Sequence, residues 1–463
     1  MRESVDIIET LEEERKFSTQ YKLSSYLIFS EPIIKQNYRL VYSTITTTLT
    51  LLKNDLYIKI TNDLFSELDE KTLINLINLK VIVPIDFNEL EYIINENKEV
   101  IANQDLLYQV ISPSANCQLG CDYCGQVHTK DTLDKNLNEK IIARISDNLK
   151  RKNYKKLGIG WFGAEPLMGL KNIRLLSSSL MKLAQDNDCE YVAKMVTNGL
   201  SLKKQLFFEL AEKYKITSFE ITLDGTEKHH DLRRHTKLKE KTFNLIFKNL
   251  KEIVTDERYD ESKIAITIRC NVDSSNYKST FDLIELLDKE NILNKISFYT
   301  AAIHSWGNDA HLKSLSQDEY ARFQIEEFFK LLEKRHNVTI LPGIKRHIVC
   351  TSLNEHAEVF DAYGDVYNCT EVSQVPVYEH EEAYKVGKLY DEGYENNERP
   401  FSSWNDDILN GKVPCTTCRI LPICGGACPK LWKENISPCP PIKYNIKERM
   451  LLEFSKNKNI YLK

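Results

Sequence analysis

The chain has 463 residues, 42% of them apolar and 28% charged, with a formal net charge of -5. That length points to two or three domains, and nothing in the mildly acidic composition suggests general nucleic-acid affinity. No apolar run approaches the ~20 residues needed to span a bilayer, and the charged opening "MRESVDIIETLEEERKF" has no secretory apolar stretch; the expectation is a cytoplasmic protein with a loose helical N-terminal extension.

Residues 1–105 read as a small β-then-α module. "SSYLIFSEP", "YRLVYSTITTTLTLL" and "DLYIKIT" alternate like strands, and "SELDEKTLINLINLKVIV" has helical apolar spacing. From 106 to 310 the pattern becomes strand then helix, repeated. The strand candidates are "DLLYQVIS", "KLGIGWFG", "EYVAKMVT", "SFEITLDG", "IAITIRCNV" and "KISFYTAA". Amphipathic stretches such as "LDKNLNEKIIARISDNLKR", "KKQLFFELAEKY" and "KTFNLIFKNLKEIV" lie between them. Such alternation implies a parallel sheet, and six units are fewer than a closed eight-stranded barrel requires. The expected fold is therefore α/β, an open, partial TIM-type barrel with function at the C-terminal strand ends. A helical linker is expected over 311–345. The last region, 346–463, has weak periodicity and seven of the twelve cysteines, the composition of a domain that folds around metal.

The first expected barrel strand runs directly into "SANCQLGCDYCGQ", which places Cys117, Cys121 and Cys124 at intervals of four and three residues. Twelve cysteines in a reducing compartment are unlikely to pair as disulfides, and clustered spacing favours metal. A four-iron cluster normally takes four thiolates, so three leave one iron open; a zinc site or three unrelated buried cysteines are the alternatives. Later in the chain come Cys350-x13-Gly364-x4-Cys369, Cys415-x2-Cys418-x5-Cys424-x3-Cys428, and Cys439.

With Tyr123 before its last cysteine, the first cluster resembles the radical S-adenosylmethionine (SAM) signature, in which the open iron chelates SAM. "FGAEP" resembles the family's Gly-Gly-Glu-Pro motif, with Ala164 in place of the second Gly. "TNGL" and "TLDGTEKHHDLRR" resemble segments that neighbour the SAM ribose and carboxylate, and "IRCNVD" a strand that turns an Arg and an Asn inward. The resemblance implies a SAM pocket of Tyr123, Gly163, Ala164, Glu165, Thr197, Asn198, Asp224 and Arg234. The later array is similar to the SPASM extension of radical SAM peptide-modifying enzymes. That similarity implies two auxiliary [4Fe-4S] clusters beside the SAM-binding one, for three in all. Cys415, Cys418, Cys424 and Cys439 would hold one, and Cys350, Cys369 and Cys428 the other. The second set lacks a fourth cysteine, which leaves an open site, His347, or distant Cys189 or Cys270.

The N-terminal module is similar in pattern to the winged-helix-like domains that hold a leader peptide by strand addition. Together the resemblances imply a maturase of a ribosomally made precursor peptide. It would abstract a hydrogen through a 5'-deoxyadenosyl radical, take electrons from a flavodoxin or ferredoxin, and install a thioether or carbon-carbon crosslink. The enzymatic alternative is an anaerobic sulfatase-maturating enzyme, which forms formylglycine. There an Asp base follows the second auxiliary cysteine; here Thr370 follows Cys369, and Glu371 is the candidate catalytic carboxylate. A non-catalytic iron-sulfur sensor or peptide-binding protein is the third reading, and it has no use for the SAM-pocket motifs. Neither a nucleic acid nor a membrane is expected as a partner.

Overall fold

The structure, a computed structural model, describes residues 20–35, 37–304, 306–378, 384–390 and 399–457. The expected N-terminal helical extension lies outside the described residues. The chain forms two compact units. One combines Met1–Ala102 with Thr339–Val349 and Ser403–Lys463; the other combines Asn103–Val338 with Cys350–Ser402. The stretch 346–463, taken in the sequence as one cysteine-rich domain, is shared between them.

In the first unit, β2 (Leu27–Phe29), β3 (Tyr38–Ser43) and β4 (Thr48–Lys53) form an antiparallel sheet in that order, while β1 (Tyr21–Leu23) pairs with β5 (Ile82–Pro84). "YRLVYSTITTTLTLL" is thus a hairpin of two strands. Its turn closes at Thr47, whose φ is +52°. "DLYIKIT", expected as a strand, is instead part of the helix Asn54–Thr61. Its alternation is real, but Asp55 in the first turn and Lys59 in the last suit the helix dipole, and burying Ile60 outweighs a weak local preference. The expected helix is present as Glu70–Asn78, capped by the Asp69 carboxylate on the Thr72 amide.

Because side chains alternate along a strand, β3 faces two cores. Val41 packs with Leu27, Leu52, Ile60 and Leu76 on one side. Leu40 and Tyr42 face Ile420, Ile423, Ile442, Met450 and Phe454 on the other. The Tyr42 hydroxyl donates to the Pro342 carbonyl at 2.6 Å and Thr44 to the Arg419 carbonyl at 2.6 Å. The N-terminal module therefore shares one core with the C-terminal helix Ile442–Lys456.

In the second unit, β6 (Leu106–Ile111), β7 (Lys156–Trp161), β8 (Glu190–Thr197), β9 (Ile216–Thr222), β10 (Ala265–Val272) and β11 (Ser297–Ala302) are parallel and adjacent in chain order. They correspond to the six expected strands, joined by helices such as Lys135–Lys150, Lys204–Tyr214 and Phe243–Val254. This is the six-stranded partial barrel. Its outer face packs the helices through residues such as Trp161, Ile173, Phe207 and Phe219. The sheet continues past β6 through β12 (Glu358–Phe360), parallel to it, then antiparallel β13 (Asp365–Tyr367) and β14 (Lys385–Lys388). Those last strands, too short for a periodic signal, bring Cys350 and Cys369 into the barrel unit. Among the described residues no helix is long and apolar enough to cross a membrane.

Candidate active site

Each functional loop follows a strand of the parallel sheet. Past β6, the cysteine loop is fixed at its base, where the Ala115 amide donates to the Asp131 carbonyl at 2.9 Å. Its tip is latched by the segment after the helix Glu227–Arg233: Gly120 donates to the His235 carbonyl at 2.9 Å and Asp122 to the Arg233 carbonyl at 3.0 Å. "TLDGTEKHHDLRR" thus holds the loop as well as lining the site.

The loop borders a cavity of about 450 Å³ in the barrel mouth. Cys117, Cys121, Tyr123 and Cys124 line it, as do Gly163, Ala164, Thr197, Asn198, Arg234, Arg269 and Asn271. Two of the expected pocket residues, Glu165 and Asp224, are not on the wall; they are fully buried behind it. The Glu165 carboxylate accepts from the Thr197 hydroxyl at 2.7 Å and from the amides of Asn198 at 2.8 Å and Leu167 at 3.1 Å. Burial raises its pKa, against the pull of those donors. Asp224 accepts from the Tyr123 hydroxyl at 2.6 Å and the Asn271 amide at 2.8 Å. Tyr123 in turn accepts from Arg234 at 2.6 Å and Asn271 Nδ2 at 3.0 Å. Burial works against charge on Arg234, but Cys121, Tyr123 and Asp224 outweigh it and hold the guanidinium charged.

"FGAEP" turns sharply after β7. Gly163 has φ +86°, and a Cβ there would lie 2.1 Å from the Ser112 hydroxyl, so only glycine fits. Ala164 follows at φ +40°, a left-handed conformation that its methyl disfavours. Its amide donates to Gln126 Oε1 at 3.1 Å, and Gln126 Nε2 donates to the Ser373 carbonyl at 3.2 Å. Gln126 therefore ties this turn to the segment after Cys369.

The residues present fit a cluster with SAM. The thiols of Cys117, Cys121 and Cys124 border one cavity together with a glycine-bearing turn where backbone can approach a ligand. Burial raises the Cys117 thiol to about 12 and Cys121 to about 11, and raises Cys124 as well, so thiolates there require a cation. In the other unit Cys415 and Cys424 are raised to about 12 and about 11, first by burial and then by neighbouring cysteines, Cys418 and Cys439 among them. Cys439 accepts from Lys443 at 3.2 Å. Among the described residues no three His, Cys, Asp or Glu side chains converge on a single metal-ion position. Of the other auxiliary candidates, Cys350 is exposed and lines the cavity, Cys369 is buried in the same unit, and Cys428 belongs to the other unit. His347 Nδ1 donates a hydrogen bond to Asn97 Oδ1 at 3.0 Å. Cys270 is buried beside Thr280, and Cys189 bonds the Tyr154 carbonyl at 3.3 Å.

Glu371 and Thr370 also line the cavity. So do residues that no motif marked: Tyr108, His128, Lys194, Glu220, Tyr299, His304 and Trp306. Four of them, Tyr108, Lys194, Glu220 and Tyr299, lie on barrel strands, where alternation gives an inward face once the sheet is known. Burial and Lys237 lower His128 to about 4, so its imidazole is neutral at pH 7.

The six-stranded barrel and its three-cysteine loop define a radical SAM domain. Residues 111–284 match the model of the radical SAM superfamily, and the chain carries that domain. It is 25% identical over 359 residues, 71% of this chain and 89% of the relative, to the cysteine-type anaerobic sulfatase-maturating enzyme of Clostridium novyi (strain NT). Among solved structures, native anSMEcpe with bound AdoMet and the Cp18Cys peptide is similar at a TM-score of 0.56 and 17% identity, covering 77% of this chain and 98% of that one. Streptococcus suis SuiB bound to precursor peptide SuiA aligns with TM-score 0.47 and 15% identity, over 91% of this chain and 99% of that one.

Proposed function

We propose that this chain is a radical SAM/SPASM peptide maturase that abstracts a hydrogen from a ribosomally made precursor and leaves an intramolecular thioether or carbon-carbon crosslink. One observation carries the reading: a single cavity is bordered by the three cysteines of the SAM-type loop and by Cys350, Thr370 and Glu371 of the auxiliary region. SAM at a reduced [4Fe-4S] cluster supplies hydrogen-atom abstraction when bound. Around it Cys117, Cys121 and Cys124 hold the iron; Gly163, Ala164, Thr197, Asn198, Tyr123 and Arg234 shape the SAM site; Glu165 and Asp224 orient those groups from behind. Glu371, on the cavity wall, is the candidate acceptor for a substrate proton. Cys415, Cys418, Cys424 and Cys439 would hold one auxiliary cluster, and Cys350 and Cys369, both in the barrel unit, are ligand candidates for another. Auxiliary clusters held by these cysteines would supply an acceptor for the electron left on the peptide, so that the net change would be a two-electron oxidation. A flavodoxin or ferredoxin supplies the reducing electron, and the N-terminal module holds the leader.

The second reading, oxidation of a peptide cysteine to formylglycine, is supported by the sulfatase-maturating relative and by the Glu371 carboxylate on the cavity wall. Anaerobic co-expression with short peptides encoded beside the gene, followed by mass spectrometry, separates the two. Loss of two hydrogens is the expected result. Loss of sulfur with gain of oxygen would establish the second reading, and unmodified peptides in the presence of loaded enzyme would overturn both.

A further inference from the structure

The deeper wall of the barrel cavity carries a group of polar side chains that the SAM pocket does not use. Lys194 on β8 lies in register with Gly160 on β7, and Tyr108 on β6 leans across that glycine. A Cβ at Gly160 would lie 2.3 Å from the Tyr108 hydroxyl, so the missing side chain makes the space the phenol occupies. The Lys194 ammonium sits over the Tyr108 ring, 5.4 Å from its centroid. Both residues line the cavity.

Their hydrogen-bonding capacity is unspent. The Tyr108 hydroxyl is buried and has no hydrogen-bond partner among the described residues, which is costly unless a ligand supplies one. The other cations on the wall are engaged: Arg269 faces Glu220 at 3.6 Å and donates to Asn271 Oδ1 at 2.8 Å, and Arg234 donates to Tyr123 at 2.6 Å. Lys194 is exposed to the cavity, with no carboxylate within 4.0 Å among the described residues. A lysine ammonium and a phenol O–H, side by side in a partly desolvated barrel, are two donors awaiting an acceptor with negative charge.

We propose that Lys194 and Tyr108 form a specificity subsite for a carboxylate of the peptide substrate, seated over Gly160. The proposal rests on the peptide-modifying reading above and adds a requirement to it: the modified residue has a carboxylate nearby, from an Asp or Glu side chain or from the peptide's own C-terminus. Lys194 and Tyr108 bind and position; they carry out no chemical step.

The test uses the full-length, cluster-loaded chain and pooled peptides that join the leader of a precursor encoded beside the gene to an 18-residue segment with a fixed central cysteine and randomised flanks, all C-terminally amidated. A second pool ends one to four residues after the cysteine, as free acid or amide. Products are sequenced by mass spectrometry for wild type, Lys194→Gln and Lys194→Glu. Wild type is expected to enrich products with Asp or Glu near the modified residue, or free-acid termini, by roughly tenfold, as a charge-assisted hydrogen bond would give. Lys194→Gln is expected to erase the enrichment and Lys194→Glu to reverse it toward Lys and Arg; Tyr108→Phe is expected to reduce it. Enrichment in the first pool assigns the side chain, and in the second the terminus. Products without acidic enrichment, or the same enrichment from Lys194→Glu, would overturn the subsite while leaving the peptide-modifying reading in place. No modified peptide from wild type would remove the reading and the subsite's occupant together. Where a variant turns nothing over, fluorescence anisotropy with the best wild-type peptide decides: unchanged affinity in Lys194→Glu counts against the subsite.

Discussion

At the scale of single residues, the site depends on buried polar groups that act through others. Tyr123 is the hub, bonded to Asp224, Arg234 and Asn271. Tyr123→Phe keeps the ring and strands three polar groups, at a cost of about 1–3 kcal/mol; urea denaturation of the iron-free chain is expected to show that loss, and an unchanged midpoint would contradict the network. Ala164 offers the opposite sign. Its φ of +40° is uncomfortable for a residue with a Cβ, so Ala164→Gly is expected to stabilise by ~1 kcal/mol, although glycine ordinarily costs chain entropy. A destabilised Ala164→Gly variant would mean that the methyl packs usefully. "FGAEP" shows the substitution in the motif; the strain it carries emerges only from the backbone.

At the scale of elements, the hairpin joining β12 and β13 carries a buried acid. Asp361 is 1% exposed, and burial first, then the charge of Asp365, raises its pKa from 3.8 to about 7. A raised folded-state pKa means that the folded chain holds a proton the unfolded chain has released. Stability therefore falls as pH climbs from about 4 to about 7, by an amount on the order of 4 kcal/mol at most. Asp361→Asn keeps an oxygen for the amides of Tyr363 and Asp365, which Asp361 Oδ1 accepts at 2.9 Å each. The variant is expected to be more stable than wild type at pH 8 and equal to it near pH 4, measured by denaturation across that range. Elements were legible from sequence where they were long and periodic. The six barrel strands were placed by β-branched runs and the helices between them. "DLYIKIT" failed because seven residues of alternation cannot outvote tertiary packing, and β12 to β14 were missed because strands of three or four residues have no period to detect. The cysteines and motif loops of the candidate site were legible because spacing survives without structure. Lys194, Tyr108 and Glu220 were not, because their shared face exists only once the strands are aligned.

At the scale of the whole chain, the N-terminal module does not stand apart from the cysteine-rich end. Ile28, Leu40, Tyr42 and Leu49 share a core with Ile420, Ile423, Ile442 and Met450, beside partly buried Cys418 and Cys424. Removing residues 1–102 would expose that core, and loss of one such aromatic alone costs ~3–5 kcal/mol. The truncated chain is therefore expected to lose about four irons together with leader binding, because a cluster site and its fold are coupled. Iron analysis after anaerobic reconstitution checks this, and full iron content in a soluble truncation would contradict the shared core. The central claim is that the loop of Cys117, Cys121 and Cys124 seats a cluster that cleaves SAM for peptide oxidation. It is tested most directly by measuring 5'-deoxyadenosine formed anaerobically from SAM and dithionite by the reconstituted chain and by Cys117→Ala. The expected result is product from wild type and none from the variant; no product from iron-loaded wild type, or equal product from both, would contradict it.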